Sequence, residues 1–300
     1  MNFTEFGMDT ASLAGTLGRK LDVVRKAGFT QVMLSAGDVA AHPDGSAVAA
    51  RLVRESGLRV TGLEALRDFE GLDGQLHSYK VDVAKSMLTV CRDIGGDLLV
   101  VEATTSTHAV PDAERTASDL NKLAMLAIPL GIRIAYKPCL GSRTAANLAV
   151  GADIMSRASC PNLGLAIDLF DLLVARTPPE EIDALDPQEI FLVQLSDFMW
   201  NAIRSTAEQH ATATHFRVFP GEGAHSEAVA NLVTRLDRLG YGGDYSFDVY
   251  NDDYLQIPVE TVAERARRSA EWLGETVLRR ALPVPNVERL RQQAATPKLT

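Results

Sequence analysis

Short apolar runs alternate with longer amphipathic stretches along most of the chain. The runs fall at residues 6–8, 31–34, 59–63, 97–101, 132–136, 163–167, 190–193 and 245–249. Most are bounded by turn-forming residues, and their near-continuous apolar character is that of strands covered on both faces. Between them the period changes to that of a helix. Leu17, Leu21, Val24 and Ala27 share a face before Gly28, and Leu120, Leu123, Ala124 and Ala127 do so before Gly131. Leu232, Leu236 and Leu239 repeat the pattern before Gly240. Glycine just beyond the last periodic residue is a helix stop. The helix–glycine–strand junction also recurs at 56–58, and it reads as structural repetition, not as a phosphate-binding signature.

Eight strand-then-helix units predict an α/β fold, a (β/α)8 TIM barrel, as a single domain over residues 1–282. The competing arrangement, an open doubly wound sheet, calls for a Gly-rich first turn, and the sequence after Met8 has none. Pro283 and Pro285 break the pattern, so 283–300 is expected to be a C-terminal tail, a short helix on the barrel with a frayed end.

Composition narrows the function classes. The 300 residues are 46% apolar and 23% charged, an ordinary globular mixture. A net charge of −9 argues against nucleic acid or an anionic membrane as partner. Cys91, Cys139 and Cys160 are scattered without C-x-x-C spacing, which speaks against a disulfide framework or structural zinc and for a reducing compartment. No basic-then-apolar leader is read at the start, and no apolar stretch reaches the roughly 20 residues of a spanning helix. A cytoplasmic protein acting on a small molecule is expected, with a homo-oligomer left open.

In a barrel of this kind, chemistry sits at the C-terminal ends of the strands. Those positions hold Glu64, Glu102, Lys137, Asp168, Gln194 and Asp248. A lone buried carboxylate is usually a structural hydrogen-bond partner. Lys137, Asp168, Gln194 and Asp248 instead end consecutive strands, and isolated buried charges are costly, so they read as a convergent group.

The segments L-R-D-F-E-G at 66–71, I-D-L-F-D at 167–171, F-L-V-Q-L-S-D at 191–197, H-F-R-V-F-P-G-E-G at 215–223 and Y-S-F-D-V-Y-N-D at 245–252 carry a family resemblance. The chain resembles the xylose-isomerase-like superfamily, and within it the sugar-phosphate isomerase/epimerase branch containing metal-dependent 3-dehydroshikimate dehydratases. The resemblance runs from about residue 5 to residue 275. It implies a barrel, isomerase or lyase chemistry, and a divalent cation held by Glu, Asp, Gln and Glu on four successive strands. Asp168 and Gln194 match that set. Lys137 stands in place of the first Glu, Asp248 shortens the last, Asp171 replaces the His of D-x-F-H, and Glu64 stands where the branch has Gln.

Replacing Glu by Lys137 removes one ligand and moves the charge of the four positions from −3 to −1. No cofactor is therefore expected, although Asp168, Gln194 and Asp248 with waters offer Mg²⁺ or Mn²⁺ a weak alternative site. The Lys137 ammonium is expected in the metal's place, between Asp168 and Asp248, with Glu64 a further partner. Imine formation by Lys137 ranks second, because neighbouring carboxylates favour the charged amine. Arg217 could hold a substrate carboxylate or phosphate, and His215 could act as acid or base; a loop-anchoring role is equally open for both. Arg67 and Asp68 could bind substrate hydroxyls or pair with each other. His210 and His225 are expected in solvent, and Cys139 as a buried thiol.

The reading is an isomerase or lyase that abstracts a proton next to a carbonyl on a small polyhydroxylated keto acid or sugar. Lys137, His215, Asp168 and Asp248 would be catalytic, and Arg217, Gln194, Arg67 and Glu64 would bind substrate. Two others stay open: a metal-dependent sugar isomerase or dehydroshikimate dehydratase, and a non-catalytic small-molecule-binding barrel.

Overall fold

A computed structural model describes residues 5–279. All eight predicted strands form: β1 (Phe6–Asp9), β2 (Gln31–Ser35), β3 (Arg59–Arg67), β4 (Leu98–Glu102), β5 (Arg133–Lys137), β6 (Leu163–Asp168), β7 (Ile190–Leu195) and, after an excursion, β10 (Asp244–Phe247). Each pairs in parallel with its neighbours, and β1 pairs with β10 to close the barrel. The excursion between β7 and β10 contains an antiparallel ribbon of β8 (Asp197–Phe198) and β9 (Arg217–Val218). The expected tail lies outside the described residues. No helix among those described is long and apolar enough to cross a membrane.

The helical periods appear as Leu17–Lys26, Ala113–Ala127 and Ser226–Leu239. Gly240 caps the last of these in the left-handed region at φ 94°, a conformation side chains resist.

Side-chain alternation along the strands divides the core in two. Met33, Leu98, Val100, Ala135, Ala166 and Leu192 form a small apolar cluster that fills the barrel. Residues of the opposite parity, such as Leu99, Val101, Ile134, Tyr136 and Val193, join the main core beneath the surrounding helices. The period of two then brings the next inward position of each strand to the C-terminal mouth. Two residues beyond Val100, Ala135, Ala166 and Leu192 stand Glu102, Lys137, Asp168 and Gln194. The apolar filling is thus the floor on which a polar layer rests.

The motif residues after β3 tie the mouth loops together. Glu70 Oε1 accepts from Thr104 N at 2.7 Å, Thr144 Oγ1 at 2.8 Å and Tyr136 Oη at 3.0 Å. Asp68 does not pair with Arg67. Its Oδ1 accepts from Thr104 Oγ1 at 3.0 Å and from the backbone of Thr105 and Ser106 at 3.1 Å. Asp197 plays the same part across the barrel, accepting from Phe198 N, His225 N and Ser226 Oγ. Gly223 lies so close that an added Cβ would come within 2.3 Å of Asp197 Cγ.

Because Glu70 satisfies donors from two loops and from β5, Glu70→Ala is expected to destabilise the fold by about 2–4 kcal/mol, and Glu70→Gln by less than half of that. Urea midpoints of the two variants check this; equal small shifts would mean that water replaces the carboxylate.

Candidate active site

A cavity of about 460 Å³ opens at the mouth of the barrel, lined by Glu102, Lys137, Asp168 and Arg217 from the strands and by Asp171 and His210 from helices. A larger groove of about 580 Å³ runs between the helices Leu169–Ala175 and Ser226–Leu239, on the outer side of the barrel. Arginines dominate its charged lining and no carboxylates converge there, so the chemistry is placed at the mouth.

Two cations are buried among the carboxylates. Lys137 Nζ lies 3.3 Å from Glu102 Oε2. Burial works against its charge, but Glu102, Asp248, Glu64 and Asp168 outweigh this and hold the ammonium protonated far above neutrality. Glu102 is held below the usual carboxylate range in spite of burial, by Lys137 and Arg67.

Arg217 takes the place the sequence assigns to Lys137. Its Nη1 donates to Asp168 Oδ2 at 2.9 Å, and to Asp248 Oδ2 and Ser196 Oγ at 3.3 Å each. Nε donates to the Ala213 carbonyl at 2.9 Å, and the guanidinium lies 4.3 Å over the Phe170 ring. The reason is position: β9 returns over the mouth and sets Nη1 of Arg217 between the two carboxylates. An anchor for a substrate anion is thereby already engaged by internal anions, although Arg217 still faces the cavity.

Glu64 does not form the expected ion pair with Lys137. Its Oε2 accepts from Gln194 Nε2 at 2.5 Å and its Oε1 from Tyr250 Oη at 3.4 Å. Asp9, Glu64 and Asp248 bring carboxylate oxygens within 4.8 Å of one another. Asp9 Oδ2, Asp248 Oδ1 and Gln194 Oε1 are buried without hydrogen-bond partners. Burial, and then Glu64, push Asp9 well above the usual range, and the same causes raise Asp248 to about 7 against the pull of Arg217 and Lys137.

His215 does not line the cavity. Its Nδ1 lies 3.1 Å from Asp252 Oδ2 and its side chain is 47% exposed, so the expected acid or base sits on the outer surface. The helix Thr206–His215 covers the mouth instead with Thr206, Gln209, His210, Ala213 and Thr214. His210 is exposed, as expected, and also borders the cavity. His225 stacks 4.1 Å from Phe198 and lines the lateral groove. Arg67 reaches the cavity with Nε 3.5 Å from Glu102 Oε1, and Cys139 is buried with its thiol pushed up by desolvation.

The four positions of the family's metal set do not fit a divalent cation. One is an ammonium, and a guanidinium bridges the two carboxylates that remain. The Gln194 amide is committed to Glu64 through its nitrogen. Sequence reasoning missed Asp9, Tyr250 and Asp171 as members of the site. Position was the available signal: Asp9 follows the first apolar run directly, and Asp171 lies one helical turn beyond Asp168.

Asp248, at about 7, and Asp171, raised to about 8 by burial and then by Asp168, keep protons that an unfolded chain loses near 3.8. The folded state binds more protons across that interval, so stability is fullest at its acidic end and declines as pH rises towards 8. The melting temperature is expected to be higher near about pH 5 than near about pH 9, and Asp248→Asn to flatten the decline. A wild-type slope unchanged in Asp248→Asn would show that Asp248 is not the group responsible.

The family model of the xylose isomerase-like TIM barrel matches residues 21–276. A 3-dehydroshikimate dehydratase of Pseudomonas aeruginosa is 31% identical over 285 residues, covering 94% of this chain and 44% of that protein. One of Pseudomonas putida is 27% identical over 266 residues, covering 89% and 41%. The chain thus spans less than half the length of these curated relatives. A solved xylose isomerase-like TIM barrel/4-hydroxyphenylpyruvate dioxygenase fusion protein superposes with a TM-score of 0.84 at 25% identity, over 99% of this chain and 45% of that one. The zinc-binding IolI protein shares the fold, with a TM-score of 0.78 at 18% identity over 91% of this chain and 99% of its own. With most of its length matched by the family model, the chain belongs to the xylose isomerase-like TIM barrel family.

Proposed function

We propose that the chain is a lyase or isomerase that abstracts a proton next to a carbonyl on a small polyhydroxylated keto acid or sugar, with Lys137 supplying the charge a metal ion would otherwise bring. The observation that carries this is the buried Lys137 ammonium facing the cavity, kept charged by Glu102 at 3.3 Å. A fixed cation in a site of low dielectric stabilises an oxyanion as it forms, without rearranging solvent. The same protonation argues against imine formation, which needs the neutral amine. Arg217 bonds to both Asp168 and Asp248 and offsets part of their charge, so that Lys137 is not fully consumed by them.

The base in this reading is His210 and not His215, a choice supported by His210 lining the cavity. Arg67, also at the cavity and 60% exposed in its side chain, suits a substrate carboxylate better than the engaged Arg217. The dehydratase names of the relatives favour a keto acid such as 3-dehydroshikimate as substrate.

A second reading has support of its own. The unpartnered buried oxygens of Asp9, Asp248 and Gln194 offer a cation a donor set in which Asp9 joins two positions of the family's set and Asp168 and Lys137 take no part. Mg²⁺ or Mn²⁺ held there would raise the melting temperature by mass action, and chelation would reverse it. On the first reading the melting temperature is indifferent to Mg²⁺, Mn²⁺ and EDTA.

Turnover tests the first reading directly. Against a panel of polyhydroxylated keto acids and keto sugars that includes 3-dehydroshikimate, Lys137→Met is expected to lose about 100-fold or more in kcat, the value of one good oxyanion donor. Lys137→Glu should gain divalent-metal affinity and lose metal-free turnover. Undiminished metal-free turnover in Lys137→Glu, or borohydride trapping of substrate on wild-type Lys137, would sink the electrostatic role.

A further inference from the structure

Asp171 lies in the first turn of the helix Leu169–Ala175, three residues after Asp168, and its partly buried carboxyl lines the mouth cavity. Its surroundings are the charged groups of four elements: Asp168 ending β6, Lys137 ending β5, Glu102 ending β4 and Arg217 on β9. Cys139 borders the same space. The other cavity acids are committed. Glu102 faces Lys137, and Asp168 caps Phe170 N and accepts from Arg217. Among the described residues, no hydrogen bond or ion pair engages the Asp171 carboxyl. It is a free acid aimed at the space where substrate binds.

We infer that Asp171 is a catalytic residue, the general acid that protonates the departing hydroxyl of a β-hydroxy carbonyl substrate, which makes the reaction a dehydration. This rests on the proposed function above and selects its lyase branch. Burial and the neighbouring Asp168 carboxylate outweigh Arg217 and Lys137 and raise the group to about 8, so it carries its proton at neutral pH.

The step balances without any added reactant. The α C–H bond breaks, its proton goes to His210, and its electron pair forms the enolate whose oxygen faces Lys137. The enolate pair then re-forms the carbonyl and makes the C=C bond as the β C–O bond breaks. That pair leaves with the hydroxyl oxygen, which takes the Asp171 proton and departs as water. Asp171 is left as carboxylate and His210 as imidazolium, and exchange with solvent restores both.

Three measurements on the full chain test this, with wild type, Asp171→Asn and Asp171→Glu. The first is dehydration of 3-dehydroshikimate across pH. The second is exchange of the substrate's α-proton in D₂O, which reports abstraction alone. The third is elimination from an analogue with fluoride in place of the β-hydroxyl, a leaving group that needs no proton. Wild-type kcat should fall on the alkaline side with an apparent pKa near 8. Asp171→Asn should lose about 100-fold or more in dehydration, the scale of one general acid, and lose that alkaline limb. It should still exchange the α-proton and still eliminate fluoride, and Asp171→Glu should recover part of the loss with a displaced limb. Wild-type dehydration rates and an unchanged limb in Asp171→Asn overturn the assignment and leave the proposed function standing. Loss of exchange and fluoride elimination together in Asp171→Asn also overturns it, since an acid alone would spare both. Absence of both exchange and turnover in wild type, across the panel of keto acids and keto sugars, rejects the proposed function and this role with it.

Discussion

The buried guanidinium of Arg217 is the contact on which the mouth of this barrel depends. Asp168 ends β6 and Asp248 directly follows β10, the two strands that flank β7, and two bare carboxylates there would each face a large desolvation cost. One nitrogen of Arg217 reaches both, Phe170 supports the plane from below, and the Ala213 carbonyl fixes its other edge. With that pair engaged by Arg217, Lys137 has Glu102 as its close partner, and its ammonium still faces the cavity.

The mouth nevertheless carries more acids than bases, and the excess has been resolved in two ways. Where the carboxylates crowd most, around Glu64, burial and that neighbour raise Asp9 and Asp248 so that they hold protons more tightly. Where a cation is close, at Glu102, the charge is kept. The site therefore presents a fixed positive group, a fixed negative group and protonated acids within one small space. That is a set suited to moving protons around a substrate oxygen.

The eight strands were legible because each is buried on both faces and so reads as an apolar run with turn formers around it. Their polar ends were legible for the same reason: a charged residue closing an apolar run stands out. The partners were not, because they arise from long-range returns of the chain. Arg217 meets Asp168 across 49 residues through a ribbon of two-residue strands that no periodicity announces. His215 was misplaced, and His210 unrecognised as bordering the cavity, because the helix Thr206–His215 has no apolar face to fix its rotation. Thr206, His210 and Thr214, spaced by four, turn to the cavity, and His215 falls just past them. The family motifs gave the scaffold because most of their residues build loops: Asp68, Glu70, Asp197 and Gly223 hold backbone rather than substrate.

The ribbon of β8 and β9 separates two tasks that are often entangled. Asp197 and Arg217, one on each of its strands, anchor the loops and the internal charges, and the Arg217 carbonyl is itself held by Asn251 Nδ2 at 2.7 Å. The helix that roofs the cavity is strung between them and contributes only small or polar side chains to it. Apart from His210, its cavity-facing side chains can change without disturbing the charged floor. Selection, or an engineer, can thus retune what the barrel admits by rewriting Thr206, Gln209 and Thr214 while the proposed base is kept.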